Sequence, residues 1–103
     1  MKYLICYDIA EQRIRQRVVK VLERRARRLQ YSVFVGDFKE CEYKALREQL
    51  LEITADSERR LLLIVPMCAV CEAKTWMAGK PMEESNPSCL IVLGRREIAM
   101  EWR

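Results

Sequence analysis

The chain has no histidine, and only three glycines and three prolines among its 103 residues. Without histidine the usual general base is missing, and acid–base cleavage by paired imidazoles is excluded. Gly36, Gly79 and Gly94 stand far apart, so no glycine-rich loop can cradle a nucleotide phosphate. No apolar run approaches the roughly 18 residues of a membrane span, so no membrane partner is expected. The opening stretch to Asp8 carries one early charge, then a short apolar run with no cleavage-like site. It reads as a buried strand rather than a leader, and the expected location is cytoplasmic. The cysteines (Cys6, Cys41, Cys68, Cys71 and Cys89) are odd in number and irregularly spaced. Such a set points to reduced thiols, not to a disulfide framework.

What is present is globular in character: 50% apolar and 33% charged residues, in a length that fits one domain over residues 1–103. The net charge of +4 is unevenly spread. Residues 1–37 hold nine Lys/Arg against four Asp/Glu, whereas the rest hold ten against eleven. An excess of positive charge confined to the first third suggests a polyanion met by one face, although charge of this kind also serves solubility alone.

Periodicity predicts a strand over 2–7, a turn at Asp8-Ile9-Ala10 and a helix over 11–28, with Ile14, Val18, Val21 and Leu22 on one stripe. Tyr31 to Val35 reads as a strand closed by Gly36-Asp37. A second helix is predicted over 39–54, with Tyr43, Leu46, Leu50 and Ile53 on its apolar face. Leu61 to Val65 is a continuous apolar strand stopped by Pro66. A further strand is expected around Ala73–Met77, a polar connection over about 80–87, a last strand at Cys89–Leu93, and a charged tail over 95–103. Each helix has a single apolar stripe, so both pack on one side of a mainly antiparallel sheet. The fold class is α+β, a ferredoxin-like sandwich of βαββαβ type with an extra C-terminal strand. So small a core, with a surplus strand, favours a dimer that extends the sheet.

Asp8 ends the first strand. A carboxylate there can hold a hard cation such as Mg²⁺, which keeps several waters and needs few protein ligands. One carboxylate is a poor site, but a twofold dimer can bring two together to activate water against a phosphodiester. The competing reading makes Asp8 or a neighbour the cap of the first helix, with Glu11 three residues on. Arg13, Arg17, Lys20, Arg24 and Arg28 recur at helical spacing as one basic face, with Arg15 beyond the apolar stripe. Such a face suits successive phosphates, and is also what a solvated helix face looks like. Cys68 and Cys71 form a Cys-x-x-Cys that is half a zinc site at best; a thioredoxin-type role wants such a pair at a helix N-terminus after a strand, which Pro66-Met67-Cys68 nearly offers, and packing is the favoured reading. Trp76, Trp102, Tyr31 and Phe34 could stack bases, though the last two are equally suited to a core.

Tyr7-Asp8-Ile9, Arg15-x-Arg17-Val18, Gln30-Tyr31-Ser32-Val33-Phe34 and Ile64-Val65-Pro66, with Cys68, Cys71 and Gly79 following, together resemble the CRISPR-associated Cas-two (Cas2) family, over roughly residues 1–94. The resemblance implies a ferredoxin-like homodimer whose C-terminal strand joins the partner's sheet. It implies a metal-dependent endonuclease, on RNA in some members and DNA in others, taking part in spacer acquisition. Asp8 would be the catalytic residue and the ligand of Mg²⁺ or Mn²⁺ across the dimer axis. Arg15, Arg17 and Arg28 would bind nucleic acid, with Ser32 and Phe34 close by. The Cas-one (Cas1) integrase is the implied protein partner, and the alternative role is a non-catalytic DNA-binding bridge in that complex. A toxin-like ribonuclease on the same fold is a third reading. The chain departs from many relatives in having only Glu11 as an acid just after Asp8-Ile9, and Arg25-Ala26-Arg27 where a glycine often ends the first helix.

Overall fold

A computed structural model describes residues 1–81. Along them run β1 (Lys2–Ile9), α1 (Gln12–Glu23), β2 (Arg27–Gln30), β3 (Val33–Asp37), α2 (Glu40–Ile53), β4 (Arg60–Met67) and α3 (Ala69–Lys74). The strands form one sheet in the order β2-β3-β1-β4, each neighbouring pair antiparallel. This is the ferredoxin-like α+β arrangement, with β1 in the interior of the sheet.

Alternation along β1 separates two environments. Tyr3, Ile5, Tyr7 and Ile9 are buried, and they join Val18 and Leu22 of α1, Phe34 of β3 and Leu46 and Leu50 of α2 in the main core. Burying each large apolar side chain contributes about 1.5–3 kcal/mol, which offsets the ordering of both helices. Tyr3 stacks on Tyr43 of α2 at 4.4 Å and contacts Phe38. Gly36 leaves room for that ring, because a Cβ at this position would lie 2.7 Å from Phe38.

On the opposite face, Leu4 stands between Val35 and Val65, Cys6 between Val33 and Leu63, and Asp8 beside Leu61. A second cluster forms there from Leu29, Val35, Leu4, Val33, Met67 and Met77. Beyond it Leu61, Leu63 and Val65 of β4 remain 54%, 47% and 38% exposed.

Five expectations are corrected. The strand expected over Tyr31 to Val35 begins at Val33 and includes Gly36 and Asp37, and the strand expected to stop at Pro66 passes through it to Met67, which a sheet edge permits among the described residues. The helix expected over 11–28 ends at Glu23, and Arg27–Gln30 is a strand. Arginine and alanine favour helix locally, but pairing of Arg27 and Arg28 with Val35 and Phe34, and burial of Leu29, override that preference. No strand forms around Ala73–Met77: Ala73 and Lys74 end the helix α3, capped at its start by Cys68, whose sulfur accepts the Cys71 N–H at 3.4 Å, and residues 75–77 belong to no helix or strand. The capping box of Asp8 and Glu11 does not form. Glu11 is itself the first residue of the cap and makes no side-chain cap bond. Its carboxylate reaches across to accept from Ser57 Oγ at 2.6 Å and the Glu58 N–H at 3.1 Å. The connection over 80–87, the strand Cys89–Leu93 and the tail over 95–103 lie outside the described residues, apart from Lys80 and Pro81.

Candidate metal and nucleic-acid site

Asp8 lies one residue before the end of β1, exposed on the face away from α1 and α2. Among the described residues it makes no hydrogen bond or ion pair, so its carboxylate is not spent on a cap. A shallow depression of about 360 Å³ opens beside it, lined by Asp8, Ala10, Arg59, Arg60 and Leu61. Arg15 fixes the turn that follows. Its Nη1 donates to the Ile9 carbonyl at 2.9 Å and to that of Ala10 at 3.3 Å. Arg60 is committed behind the depression, donating to the Thr54 carbonyl at 3.0 Å and to its hydroxyl at 3.1 Å.

On the other side of that turn lies a groove of about 790 Å³, between α1 and the β2–β3 connection. Arg15, Arg17, Arg28 and Ser32 all line it, together with Arg13, Lys20, Tyr7 and Tyr31. Four expected nucleic-acid residues thus share one basic groove, while Asp8 faces the opposite way. The expected single basic stripe is broken. Arg28 reaches the groove from β2, not from the helix, and Arg24 lies in a separate cleft between α1 and α2 that shares only Arg17 and Lys20 with the groove.

Arg28 has a local task. Its Nε and Nη2 donate to the Tyr31 carbonyl at 3.2 and 2.8 Å, and Tyr7 Oη donates to the same oxygen at 2.9 Å. The guanidinium lies 5.4 Å from the Phe34 ring centre and 5.9 Å from that of Tyr31. Phe34 is wholly buried, so the expectation that it contacts nucleic acid gives way to a supporting place beneath Arg28. Tyr31, by contrast, is 70% exposed at the groove. Burial pushes the Tyr7 phenol up, against the opposing charge and hydrogen bond of Arg28 and the charge of Arg15, so it remains a neutral donor at neutral pH. In the sequence Tyr7 stands only within the Tyr7-Asp8-Ile9 motif, with no site role of its own. The strand alternation that turns Asp8 outward necessarily turns Tyr7 toward the helices, and that signal was available.

As a cation ligand, Asp8 offers one hard carboxylate. Among the described residues no group of three or more Asp, Glu, Cys or His side chains converges to hold a metal. The donor chemistry fits Mg²⁺ or Mn²⁺, but only as one half of a site.

The family model for the CRISPR associated protein Cas2 matches residues 1–75. A protein of Chloroflexus aurantiacus named CRISPR-associated endoribonuclease Cas2 1 is 33% identical over 93 residues, covering 89% of this chain and all of that one. CRISPR-associated endoribonuclease Cas2 4 of Rhodospirillum rubrum is 36% identical over 84 residues, 81% of this chain and 66% of its own length. The crystal structure of Streptococcus pyogenes Cas2 superposes with a TM-score of 0.67 over 77% of this chain and all of that one; at 18% identity the likeness bears on the fold alone. With most of its length matched by the family model, and a full-length relative sharing a third of its residues, this chain belongs to the CRISPR-associated Cas2 family.

Proposed function

We propose that this chain is a CRISPR-associated, metal-dependent endonuclease that works as a homodimer, with Asp8 of each copy supplying half of a shared cation site. The carrying observation is the unpartnered Asp8 carboxylate at the border of an exposed apolar strip formed by Leu61, Leu63 and Val65. An exposed apolar strip of that kind marks a contact surface, and in the proposed homodimer a second copy of this chain is its partner. Two copies joined there about a twofold axis bring the two carboxylates toward each other. Bound there, Mg²⁺ or Mn²⁺ supplies charge neutralisation and water activation at a phosphodiester.

The chain's own residues hold the polymer. Arg13, Arg17 and Lys20 are exposed along the groove and meet successive phosphates. Arg28 shapes the groove wall through Tyr31, and Ser32 lies at the same wall. A strand leaving the groove passes over Ile9 and Ala10, whose carbonyls Arg15 holds, and comes down at Asp8. The relatives' names as endoribonucleases support RNA as a substrate and favour cleavage over a purely bridging role beside Cas1. Association with Cas1 in spacer acquisition is compatible with the same groove. Among the described residues no helix is long and apolar enough to cross a membrane.

The test uses purified full-length wild type and Asp8→Asn on labelled single-stranded RNA and duplex DNA, with Mg²⁺, with Mn²⁺ and with chelator. Wild type cleaves with metal, and Asp8→Asn falls to background while its circular dichroism is unchanged. Retained metal-dependent cleavage by Asp8→Asn, or a wild type that sediments as a monomer, refutes the shared-carboxylate reading.

A further inference from the structure

We propose that Cys68 and Cys71 form a reversible dithiol–disulfide pair that exchanges with low-molecular-weight disulfides. The packing reading of these cysteines does not hold, because both are exposed. They also face each other. The Cys71 N–H points at the Cys68 sulfur at 3.4 Å, while the Thr75 hydroxyl donates to the Cys71 carbonyl at 2.8 Å. Cys71 is therefore held through its backbone from both sides. The helix carrying it is tied to β1 by a Lys2–Glu72 ion pair at 3.2 Å, with both side chains mostly buried. Cys68 caps the turn that carries Cys71 three residues on, and its sulfur is already turned back over that turn to within 3.4 Å of the Cys71 nitrogen.

The two thiols are unequal. The Cys71 amide and thiol, with the Val70 amide, donate to the Cys68 sulfur and hold its titration below the ordinary thiol range. Cys71, which gives its thiol proton toward Cys68 and faces that charge, is pushed up. Cys68 is thus the attacking sulfur and Cys71 the resolving one. The Cys68 thiolate attacks one sulfur of a disulfide RS–SR, breaks its S–S bond, and expels RS⁻, which takes up the proton Cys68 had released. Cys71 then loses its proton and attacks the Cys68 sulfur of the mixed disulfide, expelling the second RS⁻, which is protonated in turn. One RS–SR is reduced by two electrons to two RSH, and the cysteine pair is oxidised by two. Zinc is not the better reading, since no third or fourth ligand converges on the pair among the described residues. The other described thiols differ in kind: Cys6 is half-buried, with its thiol pushed up by desolvation, and Cys41 stands apart on α2.

The test treats the full chain with oxidised glutathione, alkylates the remaining thiols, and maps the products by tryptic mass spectrometry. Residues 61–74 form one tryptic peptide, so the bridge appears within it as a loss of two hydrogens and resistance to alkylation, reversed by dithiothreitol. Cys71→Ser should instead accumulate a stable glutathione adduct on Cys68. Cys68→Ser should react at Cys71 several-fold more slowly than Cys71→Ser does at Cys68, because Cys68 keeps the amide donors of residues 70 and 71 in its variant, while Cys71 has no such donors in either. A 61–74 peptide that stays fully alkylatable, or a wild type that keeps the glutathione adduct without resolving it, overturns the proposal. Equal rates for the two single variants overturn the assignment of the attacking sulfur. None of these readouts depends on nuclease activity.

Discussion

The Tyr31 carbonyl accepts from three donors, and the energetic consequence can be worked out and measured. Tyr7 Oη lies at 2.9 Å, Arg28 Nε at 3.2 Å and Arg28 Nη2 at 2.8 Å. A carbonyl has two lone pairs, so the loss of one donor leaves it satisfied. Tyr7→Phe keeps the ring in the core and both guanidinium donors, and should cost about 0.5–1 kcal/mol. Arg28→Met keeps an apolar stem over Phe34 and the Tyr7 hydroxyl. It forfeits a charge-assisted hydrogen bond worth about 1.5 kcal/mol, a cation–π contact worth about 0.5–1 and a loose 3.7 Å ion pair with half-exposed Glu23 worth close to nothing, giving about 2–2.5 kcal/mol in all. The double variant strips the Tyr31 oxygen of every donor the described residues give it, and that penalty, about 1 kcal/mol, appears only when both are gone. The double variant should therefore be worse than the sum of the singles, at about 3.5–4.5 kcal/mol. Urea unfolding of the four proteins, at one chain concentration because association adds stability, measures the cycle. Additivity within about 0.5 kcal/mol would refute the reasoning, since the carbonyl would then be satisfied by water or by another group.

Other perturbations test other links. Gly36→Ala places a methyl 2.7 Å from the Phe38 ring and 3.1 Å from the Ala26 Cβ, and should cost about 1–3 kcal/mol in urea unfolding. Ser57→Ala removes the hydroxyl that, ahead of the Glu58 amide, holds the Glu11 carboxyl below its usual range. A depressed carboxylate contributes stability above its unfolded pKa and loses it as pH falls through the folded one. The thermal midpoint gap between wild type and Ser57→Ala should therefore be widest near neutral pH and close in acid, and a gap that widens in acid would contradict the tie. Leu63→Asp puts a charge on the exposed strip away from the main core, and should dissociate the proposed dimer in sedimentation while leaving the monomer's circular dichroism intact.

Much of the frame was legible in the chain. The apolar stripe of α1, the face of α2 and the run Leu61 to Val65 are local patterns, and burial of Val18, Leu22, Leu46 and Leu50 follows directly from them. The hairpin β2–β3 was not legible. Arg24 to Arg28 has good helix formers at helical spacing, and only the partner strand, supplying hydrogen bonds to Arg27 and Arg28, turns them into a strand. For the same reason the row of arginines looked like one face. Arg28 reaches the groove from a different element and is spent on Tyr31, not left free for phosphate.

The sequence by itself determined the chemistry available: no imidazole, one carboxylate at a strand end, an arginine-rich first third and a Cys-x-x-Cys. Residue type is a covalent fact and needs no fold to be read. The tertiary structure decided which of these groups meet. It turned Asp8 and Tyr7 to opposite faces of one strand, buried Phe34 beneath Arg28, sent Glu11 to Ser57 instead of to its own helix, and left both thiols of the pair in solvent. Those outcomes depend on contacts between residues far apart in the chain, where pairing and packing outweigh what any short stretch prefers.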